Sequence, residues 1–329
     1  MKKVLLFLLS LCLMVSIASC KPKADPNAGK SLSGELVVFH AGSLTVPFEK
    51  IEEAFETKYP DVDVLRTAGG SAELARKITE FDGTVDVFAS ADYKVIDSLL
   101  IPVHAKWNAL FAANAMVIMY SKTSKFGEEI TSDNWYEIFQ REGVNFGHSE
   151  PDLDPCGYRS VLLFQLAEKH YNVSGLNETL LRVRQDKNIR PKSVELIALL
   201  ESGALDYAFE YESVALQHMA MNEDLKYIKL PDELNLASIE HEDFYAQASI
   251  ELKGSEPGKT ITRIGEPIVY SLTIPDTVKN QDAAEAFIRF LFDKEIGMKI
   301  LIEQGQPVLE KIVVFGAENL PVSLQYLAK

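Results

Sequence analysis

Short apolar runs alternate with amphipathic stretches along most of the chain, and the alternation sets the expected elements. Glu35-Leu36-Val37-Val38-Phe39 is an apolar run of the kind a buried parallel strand shows. Leu44, Phe48, Ile51 and Phe55 then recur at helical spacing, and Tyr59-Pro60 closes that helix. A second strand over Val62 to Leu65 leads through Gly69-Gly70 into Ser71 and a helix with Leu74, Ile78 and Phe81 on one face. Val85 to Ala89 is a third strand, entering Ser90-Ala91-Asp92. Strand, loop and helix in this order predict an α/β doubly wound sheet, with ligands at the carboxyl ends of the strands.

Further on, Phe111 to Tyr120 reads as one long apolar strand and Ser121 to Gly127 as a polar connection, where a second lobe begins. Residues Gly147 to Asp152 look like a loop. After them, Asp154-Pro155 marks a helix N-cap and first residue, followed by the apolar run Val161 to Leu166. A helix around Val194 to Leu200 ends at Gly203, and a strand over Asp206 to Tyr211 enters Glu212-Ser213. A charged passage from Pro231 to Lys259 holds one more strand, Ala246 to Leu252. Pro267 to Ile274 reads as a strand returning to the first lobe. Helices over Ala283 to Phe292 and Ile296 to Glu303 precede a short apolar tail.

The chain has 329 residues, 47% of them hydrophobic, enough for a substantial core in two lobes. The first residues stand apart. Lys2-Lys3, the apolar run Val4 to Val15 and Ile17-Ala18-Ser19-Cys20 read as a secretory signal whose ending resembles a bacterial lipobox, with Cys20 as the lipidated residue. Lys21 to Gly34 lacks periodic hydrophobics and reads as a flexible tether of roughly 40 Å reach when extended. Cys156 is then the remaining thiol of the mature chain, so no internal disulfide is expected; beside Asp154 it reads as a packing residue. The formal net charge of −15 argues against nucleic acid and anionic membrane surfaces as partners. It leaves open a small anion, which local backbone dipoles can hold.

Three helix starts invite that reading. His40-Ala41-Gly42-Ser43, Gly69-Gly70-Ser71 and the Asp154 motif each run from loop into helix, and together they predict a pocket of outward-pointing N–H groups. Ser43, Ser71 and Asp154 could equally serve only as caps of their own helices. In the strand ending at Tyr211, alternation alone puts Glu210 on the same face as Ala208 and Glu212 and leaves the cleft-facing acid open. Metal-ligand spacings of the HExxH or CxxC kind, the GxSxG elbow and the GxxxxGK[ST] loop are absent. Asp154 and Glu210 could form a glycosidase pair, although such a cleft is usually rich in aromatics and Trp107 and Trp135 are the two tryptophans. The expectation is a binding protein, not an enzyme.

With these residues in view, the sequence resembles the extracytoplasmic molybdate/tungstate-binding proteins of ABC importers, in their archaeal-type ModA/WtpA branch. The resemblance rests on HAGSL at His40 to Leu44, GGSAELARKI at Gly69 to Ile78, DVFASAD at Asp86 to Asp92, DPCGYRS at Asp154 to Ser160 and DYAFEYESVA at Asp206 to Ala215. It implies an α/β, periplasmic-binding-protein-like fold of type II, with two lobes joined by crossover strands and the ligand in the cleft. The implied organisation is a signal peptide over 1–19, a lipidated tether over 20–34, lobe 1 over 35–119 plus 267–329, and lobe 2 over 120–266. By the same resemblance Gly42, Ser43, Ser71 and Tyr211 would hold the oxyanion, and Asp154 and Glu210 would ligate the molybdenum or tungsten. Glu212 leaves the register of the second carboxylate open. Arg159 would anchor structure or pair with an acid. No cofactor is implied beyond the ligand itself. The implied partners are molybdate or tungstate, an ABC permease and ATPase complex, and the membrane through Cys20, with a monomeric body. Another tetrahedral anion such as sulfate or phosphate is the nearest alternative, and an exported hydrolase the next.

Overall fold

In the computed structural model, residues 32–80, 83–254 and 258–328 are described. The expected signal, Cys20 and most of the expected tether lie outside them. The body begins earlier than the composition of the tether suggests: Leu32 is buried in the core, and the Ser33 carbonyl accepts a hydrogen bond from Asn280 Nδ2.

Among the described residues the strands, in chain order, are β1 (Gly34–Ala41), β2 (Val62–Gly69), β3 (Val87–Ser90), β4 (Asn108–Ala113), β5 (Met116–Ser121), β6 (Phe146–Ser149), β7 (Ile189–Arg190), β8 (Tyr207–Tyr211), β9 (Leu225–Lys229), β10 (Ser249–Lys253), β11 (Thr260–Ile264), β12 (Val269–Thr273) and β13 (Val308–Phe315). They form a six-stranded sheet of order β13-β4-β12-β3-β1-β2, a five-stranded sheet of order β7-β6-β8-β5-β9, and the separate hairpin β10–β11. We call the elements on the six-stranded sheet the first half and those on the five-stranded sheet the second half.

In the first sheet β1 runs parallel to both β2 and β3. Their carboxyl ends therefore share one edge, which gathers the loops carrying Ser43, Ser71 and Asp92. In the second sheet β6 runs parallel to β7 and β8. The chain after β6 reaches Asp154, the chain after β7 reaches Ser193, and β8 carries Glu210 near its end. Each sheet thus presents one edge of strand ends, the usual ligand edge of an α/β sheet.

The long apolar run Phe111 to Tyr120 is two strands in different sheets. β4 ends and β5 begins around Asn114, whose Oδ1 accepts the Ala115 N–H at 3.0 Å. The crossing from the first half to the second therefore falls before Met116, ahead of the boundary expected at 119/120. Hydrophobicity is continuous through the crossing because both strands are buried, so the pattern could not mark it. Of the expected loop Gly147 to Asp152, Gly147 to Ser149 belong to β6 and Glu150 to Asp152 form the turn that follows it. Gly147 pairs with Ala208 in the sheet, and glycine stands there because a Cβ would sit 2.3 Å from the Asn188 carbonyl oxygen. The tail includes β13, which closes the edge of the first sheet beside β4.

The helix Pro155–His170 is buried over most of its first three turns, from Pro155 to Phe164, and lies against β5, β6, β8 and β10. That burial explains its apolar sequence on every side. Among the described residues no helix is long and apolar enough to cross a membrane.

Candidate functional site

Neither candidate serine caps its own helix. Ser43 lies inside the short turn Gly42–Leu44, and the following helix starts without a side-chain cap. Its hydroxyl instead shares a 2.9 Å hydrogen bond with Tyr270 Oη, which also accepts from Asn114 Nδ2 at 3.0 Å. Ser71 opens the helix Ser71–Glu80, and its Oγ accepts the Ala91 amide at 3.0 Å, tying the loop after β2 to the loop after β3. Both serines are buried.

Asp154 does cap its helix, with Pro155 following, but the cap occupies one oxygen only. Oδ1 accepts the Cys156 amide at 3.1 Å, and Oδ2 accepts the Ser193 amide at 2.7 Å. Glu210 is fully buried on β8; Oε1 accepts the Tyr211 amide at 3.1 Å, while Oε2 has no hydrogen-bond partner among the described residues. Burial pushes the Glu210 carboxyl up to about 8, and neighbouring Asp154 adds to the rise. Burial also raises Asp154 above the usual carboxylate range, although its amide donors oppose the shift. A buried carboxyl oxygen without a hydrogen-bond partner is costly whether or not it carries a proton, so this one calls for a partner that arrives from outside.

Arg159, a buried cation that acts on Asp154, has its own partners. Arg159 Nη1 donates to Tyr211 Oη at 2.7 Å and to the Ala91 carbonyl at 2.8 Å, and Nη2 lies 3.7 Å from Asp92 Oδ1. Tyr158 Oη also bonds Asp92. Arg159 therefore pairs with an acid and aligns Tyr211 with the Ala91–Ser71 connection. The Tyr211 ring in turn meets that of Tyr270 at 5.9 Å, which leads back to Ser43. The structure thus brings Ser43, Ser71 and Tyr211 into one connected network and sets Asp154 beside Glu210 on the facing half.

Glu212 is excluded from this cluster. β8 ends at Tyr211 and a helix begins at Glu212, so strand alternation no longer applies. Its carboxylate pairs with Lys229 Nζ at 2.8 Å and accepts from Tyr227 Oη at 3.0 Å, at the surface.

The two halves meet around the site. Ala72 and Glu73 donate their amides to the Leu153 carbonyl at 3.0 and 3.1 Å. The helix start at Ser71 was expected to offer these N–H groups to an anion; they bind the opposite half instead. Gly42 faces Val194, where a Cβ would lie 3.3 Å from Cγ2.

Ser193, Ser149 and Tyr270 are site residues the sequence reading did not single out. Ser193 presents its amide to Asp154 at 2.7 Å, and the buried Ser149 hydroxyl lies beside the same carboxyl and helps to hold it down. Lys192-Ser193-Val194 has the same loop-into-helix form as the Ser43 loop, a signal that was available. Ser149 ends a strand that was read as loop, and Tyr270 sits in an apolar run that looks like ordinary core. His40 is buried with Nδ1 against the Ala41 carbonyl at 2.9 Å, and burial holds it down at about 4, so it is neutral and structural. Burial raises the Cys156 thiol well above its usual range, with Glu210 and Asp154 adding to the effect, which suits packing and not nucleophilic chemistry. Among the described residues no group of three or more His, Cys, Asp and Glu side chains gathers to hold a bare metal ion.

Residues 36–305 match the family model described as bacterial extracellular solute-binding protein. A solute-binding protein of Petrotoga mobilis is 49% identical over 300 residues, covering 91% of this chain and 92% of that one. The molybdate/tungstate-binding protein WtpA of Pyrococcus abyssi is 37% identical over 348 residues, covering 97% of each chain. Among solved structures, the periplasmic molybdate-binding protein of Azotobacter vinelandii superposes with a TM-score of 0.59 at 16% identity, covering 84% of this chain and all of that one. The fold is that of the type II periplasmic binding proteins, with two sheets flanked by helices. Over most of its length, this chain belongs to the bacterial extracellular solute-binding protein family.

Proposed function

We propose that this protein captures molybdate or tungstate outside the cytoplasmic membrane and delivers it to an ABC permease and ATPase complex. The observation that carries the reading is the buried Asp154–Glu210 pair, in which Glu210 Oε2 makes no hydrogen bond among the described residues and the Ser193 hydroxyl is the nearby group that holds the carboxyl down. A bystander carboxylate about 4 Å from a dianion is repelled by roughly 8 kcal/mol at an effective dielectric of 20. A carboxylate that bonds to the central atom gains from ligation instead. Molybdenum and tungsten can expand their coordination in this way and sulfur in sulfate cannot readily do so, so the pair favours the metal oxyanion and repels sulfate or phosphate.

In this reading Asp154 and Glu210 ligate the metal, while Ser43, Ser71, Tyr211 and the backbone at Gly42 hold the oxyanion oxygens. The naming of relatives such as the Pyrococcus abyssi protein supports the choice of ligand. Cys20 carries a lipid anchor in the cell envelope, and the body acts as a monomer that binds no nucleic acid and catalyses no reaction. The test is a titration of Asp154→Ala and Glu210→Ala with tungstate and with sulfate. Loss of tungstate affinity in both variants supports the assignment. Unchanged tungstate affinity, or sulfate binding equal to tungstate binding in the wild type, refutes it.

A further inference from the structure

The hairpin β10–β11 belongs to neither large sheet, yet it touches both halves. It rests on the second half through Gln165, which exchanges two hydrogen bonds with the Ser249 backbone at 2.8 and 3.0 Å. Lys253 adds its amide to Asp152 Oδ1 at 2.8 Å and its ammonium to Oδ2 at 3.1 Å. From this footing Arg263, buried on β11, crosses to the first half. Its Nη2 donates to the Lys94 carbonyl at 3.0 Å and to Ser98 Oγ at 2.7 Å, and its Nε lies 3.8 Å from Asp92. Contacts also run the other way. Arg76, on the first-half helix Ser71–Glu80, donates to the Asp152 carbonyl at 2.6 Å and the Lys253 carbonyl at 2.7 Å. Just past β11, Glu266 takes Lys94 Nζ at 2.6 Å and Tyr93 Oη at 3.1 Å.

We propose that the β10–β11 hairpin is a clasp between the halves, with Arg76 and Arg263 as the positioning residues that hold the halves closed over the site and thereby slow ligand escape. Arg76 spreads its two acceptors over Nη1 and Nη2, the planar fork of arginine, and Arg263 gives both of its bonds from Nη2. All four acceptors lie across the boundary from their donor, counting the hairpin with the second half. Parting the halves would break these bonds together with those from Ala72 and Glu73 to Leu153, which lie at the same boundary. Neither arginine contacts Asp154, Glu210, Ser43 or Ser71; Arg263 shares Asp92 with Arg159, so Arg76 is the residue that reports on closure separately from capture. The part concerning ligand escape rests on the oxyanion reading; the part concerning closure does not.

The experiment compares the full chain with Arg76→Ala and Arg263→Met in two readouts. The first is amide hydrogen exchange in the ligand-free protein at Ala72 and Glu73, whose first-turn amides lack helical acceptors and are covered by Leu153. The second is the rate at which bound tungstate leaves. We expect exchange at these two amides to rise about tenfold or more in each variant, and tungstate to leave faster by a similar factor with its association rate unchanged. Arg76→Ala should still fold, its melting temperature falling by only about 2–4 °C in keeping with a tenfold easier opening, because Arg76 is only partly buried; this variant decides the question if Arg263→Met does not fold. Unchanged exchange at Ala72 and Glu73 overturns the clasp whatever the tungstate rate. Faster exchange in a protein that binds no tungstate supports the clasp and removes the oxyanion reading instead.

Discussion

Gly70 of the first half lies so close to Leu153 of the second that a Cβ on Gly70 would sit 2.3 Å from the Leu153 carbonyl oxygen. No rotamer relieves such an overlap, because backbone meets backbone. The halves must separate locally to admit even a methyl group. Gly70→Ala should therefore fold normally and bind its ligand at least about tenfold more weakly, the loss residing in the dissociation rate. Gly83→Ala is the control, since a Cβ there meets nothing within 4 Å and Gly83 is not among the site residues. Calorimetry and stopped-flow dissociation on both variants check the contrast. Equal affinities for the two would contradict it.

Glu210 gives a pH signature in the ligand-free protein. Burial raises its carboxyl from 4.5 to about 8, so between these values the folded chain holds a proton that the unfolded chain has released. Unfolding then releases a proton and becomes easier as pH rises. The group should destabilise the fold by up to roughly 1.4 kcal/mol per pH unit across that window. Glu210→Gln should flatten the fall. Urea midpoints measured from pH 5 to pH 8 test this, and parallel slopes for wild type and variant would contradict it.

Glu212 and Glu210 are separated by one residue and should behave differently. Glu212 pairs with Lys229 at the surface, so Glu212→Gln should leave tungstate affinity within about twofold and change stability by less than about 1 kcal/mol. A large affinity loss in Glu212→Gln would move the second carboxylate to that position.

Tyr270 links the site to the returning crossover, since its hydroxyl meets both Ser43 and Asn114. Tyr270→Phe leaves those two buried groups without that partner. Asn114 keeps its bond to Ser213, so the penalty should concentrate at Ser43 and amount to about 1–3 kcal/mol in stability or binding. Thermal melting with and without tungstate separates the two. No change in either would remove Tyr270 from the site.

The sequence made the α/β alternation legible because β1, β2 and β3 each end in a Gly- or Ser-bearing turn before the next element. It also made Asp154-Pro155 legible as a helix start, since capping chemistry is local. What it hid depends on distant partners. The break at Asn114 is invisible because β4 and β5 are equally buried in different sheets. β6 was obscured by Gly147, a residue that normally weakens a strand but here admits the Asn188 carbonyl. The serine hydroxyls were legible as loop residues, yet their partners Tyr270 and Ala91 lie in other elements, so their escape from helix capping could not be read. The contrast between Glu210 and Glu212 turned on the exact residue at which β8 becomes helix, and pattern reading is weakest at such boundaries.

The most direct test of the account is a calorimetric titration of the protein with tungstate, molybdate and sulfate under identical conditions. The buried Asp154–Glu210 pair predicts saturable one-site binding of tungstate and molybdate, with no measurable heat from sulfate. Sulfate binding as tight as tungstate, or no heat from either metal oxyanion, would contradict it.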